Sequence, residues 1–287
     1  MTVYVPDGVF APEDLEALAH GLDGVAFTAR PGKAIAAAFG FASLLTPAYL
    51  DLLPDLEWVQ LLSAGYDGGD PAAAAMRRIL VTNARDVYSI AIAEDIVTKI
   101  LVLNRAVRTY YGQMAKGLWL RHEDLPEIYG STIGFLGAGS IAREAARRLL
   151  AFGARTVCFR RTARPEPEFG AGYTGRDGLY RVREASDAVV LALPLDDSTY
   201  RLIDGEAIGH MKKSALFINV GRGEEVDQEA LLGALASHRI RGAGLDVTAP
   251  EPLPPASPLW QLDNVFITPH DSSSSPRKKE RLLALVR

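Results

Sequence analysis

The sequence holds one cysteine, Cys158, in 287 residues. A single thiol excludes an internal disulfide and the stapled scaffolds of small secreted domains, and it suits a reducing compartment. Histidine is scarce too. The five histidines, at positions 20, 122, 210, 238 and 270, show no metal-ligand spacing, so no metal site is expected. Neither sign of charge dominates: 31 basic side chains face 35 acidic ones, a net charge of −4, which gives no general field for nucleic acid or an anionic membrane. Long hydrophobic runs are missing. The longest uncharged stretch, from Ala34 to Leu50, carries Gly40, Ser43, Thr46 and Pro47 and is too short for a confident membrane span; it reads as a buried helix, a strand and a turn. The opening MTVYVPDGVF lacks the basic segment and apolar core of a secretory signal. A cytoplasmic protein with neither membrane nor nucleic-acid partners is the expectation. Internal repeats are absent, and the only low-complexity tract is Ser272–Ser275.

What is present is an ordinary globular composition, 48% hydrophobic and 23% charged, over a length that suits two domains of roughly 150 residues. Short apolar runs alternate with helical patterns almost from end to end. Val3–Val5, Val25–Thr28, Ala42–Leu45, Trp58–Leu62 and Leu80–Thr82 read as strands, with a helix over Pro12–His20. A second series follows: Thr132–Leu136, Thr156–Phe159, Ala188–Leu193, Leu216–Val220, Ala243–Val247 and Val265–Thr268. Runs apolar on both faces are the mark of parallel strands covered by helices, and their alternation with helices argues for α/β architecture. Between the series, Ile92, Ile96, Ile100, Leu103 and Val107 recur at helical spacing, predicting one long helix over Ala91–Lys116 that connects the domains and offers an oligomer surface. The expected division is residues 1–91 for a first domain, with 271–287 as an optional addition to it, and residues 92–270 for a second.

The second domain opens on a strand that runs into Gly137-Ala138-Gly139-Ser140-Ile141-Ala142 and then a helix. This is a G-x-G-x-x-A version of the dinucleotide fingerprint. Gly137 allows the tight turn, Gly139 lets a pyrophosphate approach the backbone, and Ala142 permits close packing of helix on strand. The helix N-terminus offers free N–H groups to phosphate. An NAD site usually has an acid about 20 residues beyond the glycines. Here the next strand ends in Phe159-Arg160-Arg161-Thr162, with no acid. Two guanidiniums and a hydroxyl suit a 2′-phosphate, so NADP is the preferred cofactor and NAD the alternative.

Three later segments each place a titratable or charged residue just beyond a strand, where open α/β sheets bind ligands: Asn219-Val220-Gly221-Arg222-Gly223, Leu245-Asp246-Val247-Thr248-Ala249-Pro250-Glu251-Pro252, and Thr268-Pro269-His270. Asp227 is placed to cap the helix after the first of them. With the SAGYD loop at 63–67, these segments make the chain resemble the D-2-hydroxyacid dehydrogenase family from about Trp58 to His270. The resemblance implies two Rossmann-like domains with parallel sheets, the first flavodoxin-like and substrate-binding, an active site in the interdomain cleft, and a homodimer. It implies that Arg222, Glu251 and His270 are the catalytic trio and that Asp246 contacts the nicotinamide carboxamide. Leu193, Pro194, Thr199, Val220 and Gly221 would line the cofactor site, and the backbone of Ala64 and Gly65 would hold the substrate carboxylate. The residue chemistry agrees. His270 can deliver a proton to a developing alkoxide, Glu251 can orient its ring and favour the imidazolium, and Arg222 has the planar fork that grips a carboxylate.

The departures are Ser273 where the family usually has glycine, Asp271 beside His270, and Ala142 for the third fingerprint glycine. The family's chain also crosses back to complete the first domain, whereas this sequence stops at Arg287 inside a helical pattern that begins near Pro276. The expected activity is hydride transfer between NAD(P)H and C2 of a small 2-oxo acid of the glyoxylate or hydroxypyruvate type. Two alternatives are a nucleotide-sensing interaction protein resembling corepressors of this family, and a truncated paralogue with weak catalysis.

Overall fold

Residues 1–287 are described by a computed structural model. Contacts divide the chain into two units, Met1–Tyr88 with Ser274–Arg287, and Ser89–Ser273.

The first unit alternates β1 (Thr2–Tyr4), α1 (Pro12–His20), β2 (Ala26–Thr28), β3 (Ile35–Gly40), α2 (Pro47–Leu52), β4 (Trp58–Leu61), α3 (Pro71–Met76) and β5 (Leu80–Thr82). All its strand pairs are parallel, in the order β2-β1-β3-β4-β5, the doubly wound order of a flavodoxin-like sheet. Its core joins Ile35, Ala38, Leu44, Leu50, Val59 and Leu61. Each such aliphatic side chain, once buried, contributes roughly 1.5–3 kcal/mol. The C-terminal helix Lys278–Val286 belongs here, with Leu282 and Val286 buried and Lys279 paired to Asp14 of α1 at 2.7 Å.

The Ala34–Leu50 stretch departs from expectation. Ile35–Gly40, which reads as helix, is the strand β3, and Ala42–Leu45, which reads as strand, is a 3-10 turn. The alanines favour a helix locally. Between β1 and β4, however, a strand satisfies their backbone groups on both edges, and the small side chains pack closely there. A Cβ at Gly40 would meet Leu44 Cδ1 at 2.7 Å, so a larger residue there would displace that buried side chain.

The second unit holds α4 (Ser89–Asn104), α5 (Val107–Ala115), β6 (Thr132–Leu136), α6 (Ser140–Ala151), β7 (Arg155–Phe159), β8 (Ala171–Tyr173), α7 (Gly175–Ala185), β9 (Ala188–Leu191), α8 (Gly205–Gly209), β10 (Leu216–Asn219), α9 (Gln228–Ala236), β11 (Gly242–Leu245) and β12 (Val265–Ile267). Its seven strands are all parallel in the order β12-β11-β10-β9-β6-β7-β8, and the winding reverses between β6 and β9. That switch point is where open α/β sheets receive ligands. Phe217, Val189, Leu191, Leu235, Ala243 and Leu245 are at the centre of its core.

The single helix expected over Ala91–Lys116 is two helices. Ala106 adopts a left-handed conformation (φ 50°) between α4 and α5, and α5 buries none of its residues. Asn104 ends α4 by accepting from Arg241 at 2.6 Å, and Arg108 ties α5 to the carbonyls of Trp260, Leu262 and Val265. Apolar residues continue across the break, so periodicity alone does not reveal it. The edge strand β8, three residues containing Gly172, has no such signal either; only pairing with β7 makes it a strand.

Candidate active site

One row of the large sheet organises the site. Register places Phe159, Leu136, Leu191, Asn219, Leu245 and Ile267 side by side across β7, β6, β9, β10, β11 and β12. The next residue of each strand therefore leaves the same edge: Arg160, Gly137, Ala192, Val220, Asp246 and Thr268. Segments far apart in sequence thus share one end of the second unit, the carboxyl end of its strands.

At the switch point, β6 is buried along its whole length and runs into Gly137. Gly137 has φ +107°, and a Cβ there would overlap the carbonyl of Ala192. Gly139 caps α6, with nothing within 4 Å of the place a Cβ would fill. Gly137 is thus required by the fold, whereas Gly139 keeps space open above the helix N-terminus. Ala142 is fully buried against the sheet. Free N–H groups, a positive dipole end and an open backbone fit a pyrophosphate, with Ala138, Ser140 and Ile141 completing the turn. Ser140 is fixed by a 2.8 Å hydrogen bond between its hydroxyl and that of Ser89.

At the end of β7 the structure adds a residue that sequence reasoning missed. Glu166 accepts from Arg160 Nη1 at 3.2 Å and from Arg164 Nε at 2.7 Å, and Arg143 lies 3.6 Å away. These guanidiniums, Arg164 foremost, hold the Glu166 carboxyl below its ordinary range. Arg160 Nε is buried without a partner. Arg161 and Thr162 are exposed. A cationic cluster therefore stands where the 2′-phosphate was expected, but it already holds a carboxylate.

After β10, the chain bonds to itself. Asn219 Oδ1 accepts from Gly221 N at 2.9 Å and its amide donates to the Arg222 carbonyl at 3.0 Å. Arg222 N donates to the fully buried Glu225 at 2.7 Å. Glu225 reaches back as the third residue of a capping box does, but Arg222 stands where that signature has Ser or Thr, so the sequence carried no signal for this brace. Asp227 caps α9 through Ala230 N at 3.1 Å.

Beyond β11 and β12, Glu251 and His270 come together. His270 Nδ1 donates to Glu251 Oε2 at 2.8 Å, and the other Glu251 oxygen accepts from Thr248 N at 3.0 Å. The carboxylate is held on one side and orients the ring on the other, which leaves Nε2 for proton transfer. His270 has φ 54°, a left-handed conformation uncommon for a side chain of its size. Its N–H donates to the Asp246 and Thr268 carbonyls at 2.8 and 3.0 Å. The Asp246 carboxylate, 2% exposed, accepts from Thr268 Oγ1, Asp271 N, and both Ser272 N and Oγ.

Leu193 and Pro194 follow β9. Thr199 is buried, donating to the Pro194 carbonyl and accepting from Asp196 N, each at 2.8 Å, so its hydroxyl closes that loop. In the first unit, the SAGYD loop uses its carbonyls internally. Ser63 accepts from Ala84 N, Ala64 from Asn83 Nδ2, and Gly65 from Ser63 Oγ.

A glycine turn at the switch point, cations after the next strand and a histidine–carboxylate pair on the same sheet edge fit a nucleotide-dependent oxidoreductase. Comparison with known proteins makes this specific. The family model described as "D-isomer specific 2-hydroxyacid dehydrogenase, NAD binding domain" matches residues 97–272. A glyoxylate reductase of Korarchaeum cryptofilum is 35% identical over 240 residues, covering 81% of this chain and 71% of its own. A glyoxylate/hydroxypyruvate reductase B of Citrobacter koseri is 34% identical over 253 residues, covering 85% and 77%. Among solved structures, an NADPH-dependent glyoxylate/hydroxypyruvate reductase of Sinorhizobium meliloti, in complex with NADP and sulfate, aligns with TM-score 0.81 at 26% identity over 99% of this chain and 92% of that one. The chain belongs to the D-isomer specific 2-hydroxyacid dehydrogenase family and is an NAD(P)-dependent oxidoreductase.

Proposed function

We propose that this protein reduces a small 2-oxo acid of the glyoxylate or hydroxypyruvate type and prefers NADPH. The observation that carries the reading is the His270–Glu251 hydrogen bond on the same sheet edge as the Gly137–Ala142 turn. The relatives named as glyoxylate and hydroxypyruvate reductases support the substrate class. The nicotinamide cofactor supplies the hydride for C2. His270 delivers the proton to the developing alkoxide from Nε2, because Glu251 engages Nδ1. Arg222 is assigned to the substrate carboxylate and adjacent carbonyl, where a planar fork both orients and polarises. The backbone of Ala64 and Gly65 is assigned to substrate binding. Leu193, Pro194, Thr199, Val220 and Gly221 are assigned to the cofactor face of the site.

The preference for NADPH rests on Arg160 and Arg161, and on the lack of an acid directly after β7. Two finer assignments belong to the same reading. The protein works in the cytoplasm, which suits its lone buried thiol; no helix is long and apolar enough to cross a membrane. It forms a homodimer through the second unit, where Val107, Tyr111, Met114 and Trp119 are exposed together along α5 and the segment after it. The decisive experiment follows cofactor oxidation with glyoxylate, hydroxypyruvate and pyruvate, using NADPH and NADH in parallel. Turnover of glyoxylate or hydroxypyruvate, faster with NADPH, is expected. Failure with all three acids would overturn the substrate assignment.

A further inference from the structure

Lys99 is buried to 0% exposure in the middle of α4, which is unusual for a lysine. Its stem occupies the space over Gly244 of β11, where a Cβ would meet Lys99 Cβ at 2.8 Å and Cδ at 3.1 Å. The ammonium is ion-paired with Asp95 one turn earlier and donates to Thr268 Oγ1 at 2.8 Å. Burial pushes the Asp95 carboxyl up, against the pull of its bond to Lys99.

The chemistry of the donors gives this arrangement a direction. An ammonium can only donate, so the Thr268 oxygen accepts from Lys99 and its own hydrogen is turned to Asp246 Oδ1, at 2.6 Å. Asp246 then gathers Asp271 N and the Ser272 N–H and hydroxyl. Its backbone carbonyl accepts from His270 N. The chain of bonds therefore grips the segment carrying His270 on both sides, at Thr268 before it and at Asp271–Ser272 after it. His270 itself sits in the left-handed region, a conformation that persists only when its surroundings impose it.

We propose that Lys99 is a positioning residue for the His270 proton donor, acting through Thr268 and Asp246, and that Asp246 serves by holding the His270 turn. The proposal rests on the reading of His270 as general acid. Lys99 touches no reacting atom. Its charge fixes the Thr268 hydroxyl and offsets the buried Asp246 carboxylate, so that the imidazole meets Glu251 in one geometry.

The test uses the full chain and three variants: Lys99→Met, Thr268→Val, which removes only the hydroxyl at nearly constant shape, and Thr268→Ser, which restores it. Three quantities are read: NADPH affinity without substrate by fluorescence titration, kcat and KM separately, and the proton NMR titration of the His270 ring, assigned by its absence in His270→Asn. Lys99→Met and Thr268→Val are expected to lose roughly 10²-fold in kcat, as misplacement by about an ångström does. NADPH affinity should stay within about threefold, the His270 titration should shift, and Thr268→Ser should recover most of the rate. Thr268→Val guards against a Lys99→Met chain that fails to fold, since it leaves the Lys99–Asp95 pair intact. Equal kcat for Thr268→Val and Thr268→Ser, or an unmoved His270 titration, overturns the proposal. So does a loss of NADPH affinity parallel to the loss of rate. If His270→Asn itself turns over like the parent, the general-acid reading fails instead, and the NMR titration alone then decides whether Lys99 positions the ring.

Discussion

A histidine becomes a directed proton donor only when one ring nitrogen is committed, and here Nδ1 is committed to Glu251. His270→Asn should retain NADPH affinity and lose about 10²–10⁴-fold in kcat, the usual worth of general acid catalysis. Steady-state rates beside a cofactor titration check this, and parent-like turnover with chemistry shown to be rate-limiting would end the assignment. On the proposed reading, cofactor choice also rests on single residues. Replacing Arg160 and Arg161 together by glutamine should weaken NADPH roughly ten- to a hundredfold, the scale of a hydrogen bond to a charged group, with NADH nearly unchanged. Glu166→Gln should act in the opposite sense. Its carboxylate holds Arg160 and Arg164, and an incoming 2′-phosphate must compete with it for the same guanidiniums. Calorimetric affinities for both cofactors distinguish these outcomes; equal losses for NADPH and NADH would make the arginines structural.

Within the elements, the two fingerprint glycines serve different ends. Gly137→Ala places a side chain at φ +107° against Ala192, and should destabilise the second unit by roughly 1–3 kcal/mol, seen as a lower Tm. Gly139→Ala meets nothing in the protein, so Tm should hold while NADPH affinity collapses. If both variants lose stability alike, Gly139 is a fold residue and the cradle is misread. A second element-scale test concerns Asp187, just before β9. It accepts from Thr132 N and Lys212 Nζ, both at 2.8 Å. Burial pushes its carboxyl up, but the bonds from Lys212 and the Thr132 N–H outweigh this and leave it lowered. A lowered carboxyl contributes stability that is full above its unfolded value, roughly pH 3.9, and is lost as pH falls through the folded value. Asp187→Asn should therefore lower Tm near neutrality and flatten the further fall between about pH 5 and about pH 3. A Tm profile parallel to the parent's would show that Asp187 contributes nothing of this kind.

For the molecule as a whole, the exposed side chains along α5 and the following segment set the expected assembly. Trp119 is 92% exposed, with Tyr111 and Met114 also largely open to solvent. On the proposed reading, this surface is the one that meets a second copy of the chain. Light scattering at micromolar concentration should give about twice the 31.0 kDa of one chain. Replacing Trp119, Tyr111 and Met114 by serine should return the mass to that of a monomer. A parent protein that is itself monomeric would refute the dimer.

What the sequence by itself determined is what a few neighbouring residues can encode. Apolar runs alternating with helical periods imply parallel α/β sheets. Strand, Gly137-Ala138-Gly139 and helix in succession imply a phosphate-binding turn, and Arg222, Glu251 and His270 each follow a strand closely enough to be placed at its carboxyl end. The limits appear where an outcome depends on a remote neighbour. The alanines of β3 favour a helix until two flanking strands claim their backbone. The helix broken at Ala106 keeps its apolar period across the break. Glu166 meets Arg160 only because an irregular loop returns it there. Lys99, a charge amid isoleucines, has its partner Thr268 a separation of 169 residues away. Strand order and register brought these groups within hydrogen-bond reach. A hydrogen bond depends on distance and angle between groups that spacing along the chain does not relate, so the candidate residues could be named from the sequence but their bonds were decided by the tertiary structure.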